Sequence, residues 1–104
     1  MLRMGSVMKL RPGMAAEYEK RHAALWPELI DAIKKGSASN YTIFHDPETD
    51  LLFEYIEIED AAVWAARSGD AVTRRWWDYM ADIMETNPDR SPLSRPLTPL
   101  FHLD

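Results

Sequence analysis

The chain has 104 residues, a length that suits one domain with a modest core. Apolar residues make up 46% of the sequence, charged residues 28%, and the net charge is −5. This acidic balance argues against a nucleic-acid or anionic-membrane surface. The absence of cysteine excludes a disulfide framework, a thiol nucleophile and a thiolate metal site.

The first third of the chain predicts a strand and a long, interrupted helix. Residues 2–10 alternate as a strand does, and a turn at 11–13 leads into a helix that extends to about Lys35. Pro27 lies inside this helix, where its ring collides with the preceding turn. We therefore expect either a kink or two abutting helices near Trp26. Gly36 is expected to end the helix as its C′ residue.

Two strands joined by a turn-forming loop are predicted next, over residues 38–45 and 51–59. Both faces of the second strand are apolar: one carries Leu51, Phe53 and Tyr55, and the other carries Leu52, Ile56 and Ile58. Such a sheet needs cover on both sides. Since the chain has enough helix for one side only, a second copy of the same sheet is the simplest cover for the other.

The last part of the chain predicts helices and one edge strand. Asp60 suits the N-cap of a helix over 61–68, and a second helix is expected over 71–85. Residues 86–96 are expected to form a proline-rich loop, and 97–103 a short strand that Pro99 confines to an edge. The order β-α-β-β-α-β is the ferredoxin-like α+β pattern, with an antiparallel sheet and both helices on one face. A second copy of the chain, packed on the face of the sheet without helices, would make a dimeric α+β barrel.

Residues 17–29, EYEKRHAALWPEL, contain the strongest chemical feature. If this stretch is helical, Tyr18, His22 and Trp26 stand at i, i+4 and i+8 and share one face. An imidazole on an apolar face is either a hydrogen-bonded core residue or a group placed for proton transfer. The stretch alone leaves both interpretations open.

Other catalytic groups are weakly indicated. His22, His45 and His102 lack the spacing of metal ligands, and no serine elbow or phosphate-binding glycine loop is present. Glu54 is an acid in mid-strand between Leu52 and Ile56. It either orients a histidine or a sugar hydroxyl, or it lies at an edge or pairs with an arginine.

The predicted fold brings several aromatic side chains toward one region, since both helices cover the same sheet. They are Tyr18, Trp26, Tyr41, Trp76 and Trp77. Tyrosine and tryptophan combine a flat apolar face with one hydrogen-bond donor, which suits a sugar ring. The alternative is that Tyr18 and Trp76 are core residues only.

The strings EYEKRHAALWPEL, NYTIF and RRWWDYM, followed by NPD, resemble the L-rhamnose mutarotase family along essentially the whole chain. The resemblance implies the dimeric α+β barrel, a homodimer and no cofactor. It also implies interconversion of the α and β anomers of L-rhamnose. It places the acid/base histidine on His22, the sugar-contacting tyrosines on Tyr18 and Tyr41, and the paired tryptophans on Trp76 and Trp77. Beyond Asn87 the similarity is less distinctive.

Mutarotation suits these residues. It moves one proton from the anomeric hydroxyl and one to the ring oxygen, and histidine can perform either transfer near neutral pH. We expect a single domain over residues 1–104 that binds no metal, nucleic acid or membrane. Because no apolar run suits a signal peptide, we expect it in the cytoplasm. The alternatives are a cofactor-independent oxygenase, by fold analogy, and a sugar-binding module without activity.

Overall fold

The computed structural model describes the whole chain, Met1–Asp104. Its strands are β1 (Leu2–Lys9), β2 (Ala38–Asp46), β3 (Leu51–Ile58) and β4 (Ser94–Leu97), and its helices are α1 (Ala15–Ala23), α2 (Pro27–Lys35), α3 (Ala61–Ala65) and α4 (Ala71–Met80). A short 3₁₀ turn, Ala66–Gly69, connects α3 to α4. No helix combines the length and the apolarity that a membrane crossing requires.

The four strands form one antiparallel sheet in the order β2-β3-β1-β4. This order and the succession of elements confirm the ferredoxin-like α+β prediction. The main core lies between the sheet and the helices, around Met8, Leu10, Leu52, Met80, Ile83 and Met84. A smaller cluster of Ala38, Ile56 and Ile58 continues it beneath Trp64.

The predicted interruption at Pro27 is present as two abutting helices. Pro27 is the first residue of α2, where a missing N–H breaks no helical hydrogen bond. Trp26 is the N-cap of α2 and has an extended backbone, with φ −63° and ψ 133°. The chain therefore turns between the helices, and Trp26 does not continue the helical face of His22.

Gly36 does not have the left-handed conformation that its predicted role implies. Its φ is −73°, and the following Ser37 has a φ of 73° instead. A Cβ on Gly36 would lie 2.5 Å from Cδ of Arg67 and 3.0 Å from Cε3 of Trp64. Glycine is therefore needed here for close packing and not for its backbone freedom.

Two predicted boundaries in the last part of the chain are wrong. Helix α4 ends at Met80 and not at residue 85, because Met84 leaves the helix to form a bridge with Leu10. Strand β4 lies at Ser94–Leu97, earlier than predicted, and contains Pro96. It pairs with β1 alone, so the expected edge position is confirmed. A proline is tolerated there because an edge strand is paired on one side only.

The predicted cap of α3 is confirmed, since the Asp60 side chain accepts hydrogen bonds from the backbone N–H groups of Ala62 and Val63. Strand β2 contains an irregularity that the alternation pattern did not predict. Its register with β3 shifts between Ser39 and Thr42, and Asn40 has a φ of 48°. As a result Ala38 and Tyr41, three residues apart, both face the helices.

Candidate active site

A cavity of about 1090 Å³ lies between the helices and the sheet. The sheet contributes its floor, which includes Ser6, Tyr41 and Glu54. Helices α1 and α4 contribute the wall opposite, with Tyr18, His22, Trp76 and Trp77. The five candidate residues predicted to act on a sugar therefore line one cavity.

His22 lies near the end of α1, where it is half-buried. Its Nδ1 is 3.0 Å from the backbone oxygen of Tyr18, one helical turn earlier. Because a carbonyl oxygen only accepts, Nδ1 carries the hydrogen and donates it, which leaves Nε2 of the neutral ring with a free lone pair. Burial lowers the pKa of His22 below its usual value, although the hydrogen bond to the Tyr18 carbonyl opposes this effect.

Aromatic rings hold this imidazole from two sides. The Tyr18 ring stacks on it with centroids 4.3 Å apart, and Trp76 meets it edge-on at 5.3 Å. The i, i+4 spacing of Tyr18 and His22 in α1 brings the two rings together, as predicted. The histidine is therefore fixed in position and also accessible from the cavity.

Trp26 contributes to the site indirectly. Its ring meets Trp76 edge-on at 5.1 Å and stacks on Tyr79 at 5.6 Å. It supports Trp76 from behind and does not line the cavity. The predicted ridge of three aligned side chains is thus wrong for Trp26, because α1 ends before it.

Arg21 attaches α1 to the end of α4. Its guanidinium donates to Glu17 at 2.8 Å, to the backbone oxygen of Tyr79 at 2.7 Å, and to both carboxylate oxygens of Asp82 at 2.8 and 3.2 Å. It also lies over the Tyr79 ring, 4.4 Å from the centroid. Because His22 follows Arg21 in α1, these contacts also hold His22 close to α4.

The floor of the cavity carries an acidic group between hydroxyls. Oε2 of Glu54 accepts a hydrogen bond from the Tyr41 hydroxyl at 2.5 Å, and Oε1 accepts one from Ser6 at 3.3 Å. Glu54 is on an inner strand and has no arginine or lysine within ion-pair distance, so the edge and arginine-pair interpretations are wrong.

Burial and the Glu54 charge both act on the two tyrosines. Burial of the hydroxyl, followed by the nearby Glu54 carboxylate, raises the pKa of Tyr41 well above its usual value. The same causes, in the same order, raise the pKa of Tyr18. Both phenols are therefore protonated at neutral pH.

Of the other two histidines, His45 lines a different part of the same cavity and His102 does not line it. Nε2 of His45 is 3.1 Å from Asp50, and Nε2 of His102 is 2.7 Å from Asp104. No group of three His, Asp or Glu side chains is placed to hold a metal ion.

Two residues of the cavity were missed by the sequence analysis. The guanidinium of Arg67 lies 3.9 Å above the Trp64 ring, and both residues line the cavity beside Tyr41. They lie on α3 and the turn that follows it, which pack close to Gly36. No spacing rule links a helical Trp–Arg pair to a cavity wall, so the sequence held no pattern that would identify them.

Comparison with known proteins gives the same family as the sequence strings. The family model described as L-rhamnose mutarotase matches residues 3–103. An L-rhamnose mutarotase of Lachnoclostridium phytofermentans is 51% identical over 104 residues, covering 100% of both chains. One of Bacteroides thetaiotaomicron is 50% identical over 97 residues, covering 93% of each.

Solved structures are similar as well. The crystal structure of an L-rhamnose mutarotase from Formosa agariphila superposes with a TM-score of 0.92 at 38% identity, and the match covers 100% of both chains. A putative antibiotic biosynthesis monooxygenase from Nitrosomonas europaea has a TM-score of 0.63 at 11% identity, with 91% of this chain and 84% of the other covered. At that identity the second likeness concerns the fold alone.

Proposed function

The chain belongs to the L-rhamnose mutarotase family, and we propose that His22 is the residue that moves protons in its reaction. The protein is an isomerase that interconverts the α and β anomers of L-rhamnose. The oxygenase alternative is not favoured, because its only support is the shared fold.

The observation that carries the proposal for His22 is its contact with the Tyr18 carbonyl. With Nδ1–H committed to that oxygen, the neutral ring has a lone pair on Nε2 and lies in the wall of the cavity. A proton acceptor of this kind is what an anomeric hydroxyl needs. The Tyr18 carbonyl, the stacked Tyr18 ring and the edge-on Trp76 ring also keep the imidazole in one orientation.

The proposed steps conserve every proton. The proton of the anomeric hydroxyl passes to Nε2, the C1–O5 bond breaks as the C1–O1 bond becomes a carbonyl, and the ring oxygen takes a proton from the imidazolium. After rotation about the C1–C2 bond the same steps run in reverse. The sugar returns as the other anomer, and His22 returns to its neutral form.

The remaining candidate residues are proposed to bind the sugar. Trp76 and Trp77 offer apolar faces to the C–H groups of the ring, while Tyr18 and Tyr41 hydrogen-bond its hydroxyls. The cavity of about 1090 Å³ is large enough for one pyranose together with water.

The test is exchange between the two anomers of L-rhamnose, followed by NMR with catalytic amounts of protein and with L-fucose and D-glucose as comparisons. His22→Ala should lose most of the catalysed exchange, by about 10²–10⁴-fold, the contribution of general acid/base catalysis. It should keep its fold and much of its sugar affinity.

The control variant is His102→Ala, whose ring pairs with Asp104 and does not line the cavity. If His22→Ala exchanges anomers at the normal rate per folded molecule, the proton carrier is another residue. If the wild-type protein binds L-rhamnose without accelerating exchange, it is a binding module and the proposed function is wrong.

We propose further that the protein is a homodimer in which a second copy covers the helix-free face of the sheet. Phe44 and Phe53 are paired across β2 and β3 on that face and are 63% and 37% exposed. Apolar surface of this kind is typical of an interface.

The proposed location is the cytoplasm, where a domain without cysteine is ordinary.

A further inference from the structure

Glu54 is an ionisable group in an unusual place. It is on β3, an inner strand, and its neighbours on the same face, Leu52 and Ile56, are almost fully buried. An acid in such surroundings requires hydrogen-bond donors. Its donors are two hydroxyls, from Tyr41 at 2.5 Å and from Ser6 at 3.3 Å.

Each of these contacts depends on the strand pairing. Ser6 is the direct cross-strand partner of Glu54 on β1, so both side chains lie on the helix side of the sheet. Tyr41 reaches Glu54 from β2, next to the register shift between Ser39 and Thr42. Bulges of this kind re-aim side chains next to functional sites.

The contact with Glu54 determines what Tyr41 can do toward a ligand. A phenol has one hydrogen to donate and lone pairs with which to accept. Because the Tyr41 hydrogen is directed at Glu54, its oxygen faces the rest of the cavity as an acceptor. A ligand group that meets it must therefore be a donor.

We propose that Glu54 is a positioning residue that fixes the Tyr41 hydroxyl as a hydrogen-bond acceptor, so that the site selects a sugar with a hydroxyl donor at that place. This inference rests on the proposed function, since it takes the occupant of the cavity to be a sugar. It also leaves His22 as the proton carrier, because a phenol beside a carboxylate is a poor proton donor.

The first experiment measures the dissociation constant of L-rhamnose by calorimetry for four proteins: wild type, Tyr41→Phe, Glu54→Leu and the double variant. Each single change should weaken binding about tenfold, which is the effect expected when one hydrogen bond between the sugar and the Tyr41 hydroxyl is lost. The double variant should be no weaker than either single one, since both changes remove the same acceptor. Glu54→Gln keeps an oxygen that accepts from Tyr41, so it should retain most of the affinity.

The matched control is Tyr55→Phe. Tyr55 lies on the opposite face of the sheet, and it too donates its hydroxyl to a glutamate of β3, Glu57, at 2.8 Å. Tyr55→Phe should bind L-rhamnose normally. If Glu54→Leu binds normally as well, or if the effects of Tyr41→Phe and Glu54→Leu add in the double variant, the inference is overturned.

A second experiment leaves Glu54 unchanged and uses the monodeoxy derivatives of L-rhamnose. The derivative that lacks the hydroxyl facing Tyr41 should bind the wild-type protein more weakly than L-rhamnose does. The Tyr41→Phe variant should bind that derivative at least as tightly as it binds L-rhamnose. A variant that discriminates among the derivatives just as the wild type does would overturn the inference. These results come from binding, whereas failure of the proposed function would appear as an absence of anomer exchange by the wild type.

Discussion

At the scale of single residues, the environment of His22 determines how the reaction depends on pH. Burial lowers the pKa of His22 below the usual histidine value of about 6.5. The neutral form accepts the proton, so activity should persist as the pH falls through 6.5 and should be lost only at lower pH, where the ring becomes protonated. The measurement is the catalysed exchange rate against pH, after subtraction of the spontaneous rate. An activity that increases on acidification would mean that His22 enters the reaction protonated.

The paired tryptophans have different surroundings and should respond differently to substitution. Trp76 contacts His22, Trp26 and Tyr79, so Trp76→Ala should reduce both sugar binding and stability, the latter by about 3 kcal/mol. Trp77 lines the cavity and is partly buried but has no ring partner, so Trp77→Ala should weaken sugar binding and lower the melting temperature less than Trp76→Ala does. Calorimetric titration and thermal melting separate the two effects. Normal binding of L-rhamnose by both variants would place the stacking surface elsewhere.

At the scale of elements, the end of α2 and the turn after α3 pack in direct contact. Gly36→Ala would bring a Cβ within 2.5 Å of Arg67 and 3.0 Å of Trp64, so it should destabilise the protein by about 1–3 kcal/mol and disturb that wall of the cavity. Gly69→Ala is the matched control, because no atom lies within 4 Å of the added methyl group. Thermal melts of the two variants give the comparison. Equal melting temperatures would show that Arg67 and Trp64 move aside without cost.

Features that depend only on residues close together in the sequence could be predicted from it. The alternation along β3, the Asp60 cap and the stacking of Tyr18 on His22 are of this kind, and all are present. The end of α4 could not be predicted, because it depends on a bridge between Met84 and the distant Leu10. Likewise the Tyr41–Glu54 contact depends on how β2 pairs with β3, with Ile43 opposite Glu54, and the sequence of β2 alone does not give that register.

At the scale of the whole molecule, the sheet has one face covered by helices and one face without them. The exposed Phe44–Phe53 pair lies on the bare face, and the C-terminal segment adds two large exposed side chains, Leu100 and Phe101, which are 92% and 85% exposed. A monomer would leave these large side chains in water, at a cost of about 25 cal/mol for each Å² of apolar surface. A second copy removes that cost for both chains at once, because a two-fold interface joins the same patch on each.

The dimer can be tested by placing a charge on that face. Phe44→Asp should give a folded monomer in sedimentation velocity at micromolar concentration, because Phe44 is 63% exposed within one chain and its replacement costs the fold of that chain little. Val63→Asp changes an apolar residue of similar exposure, 43%, on the helix side of the sheet, and it should remain a dimer. A wild-type protein that sediments as a monomer, or a Phe44→Asp protein that still sediments as a dimer, would contradict the proposed interface.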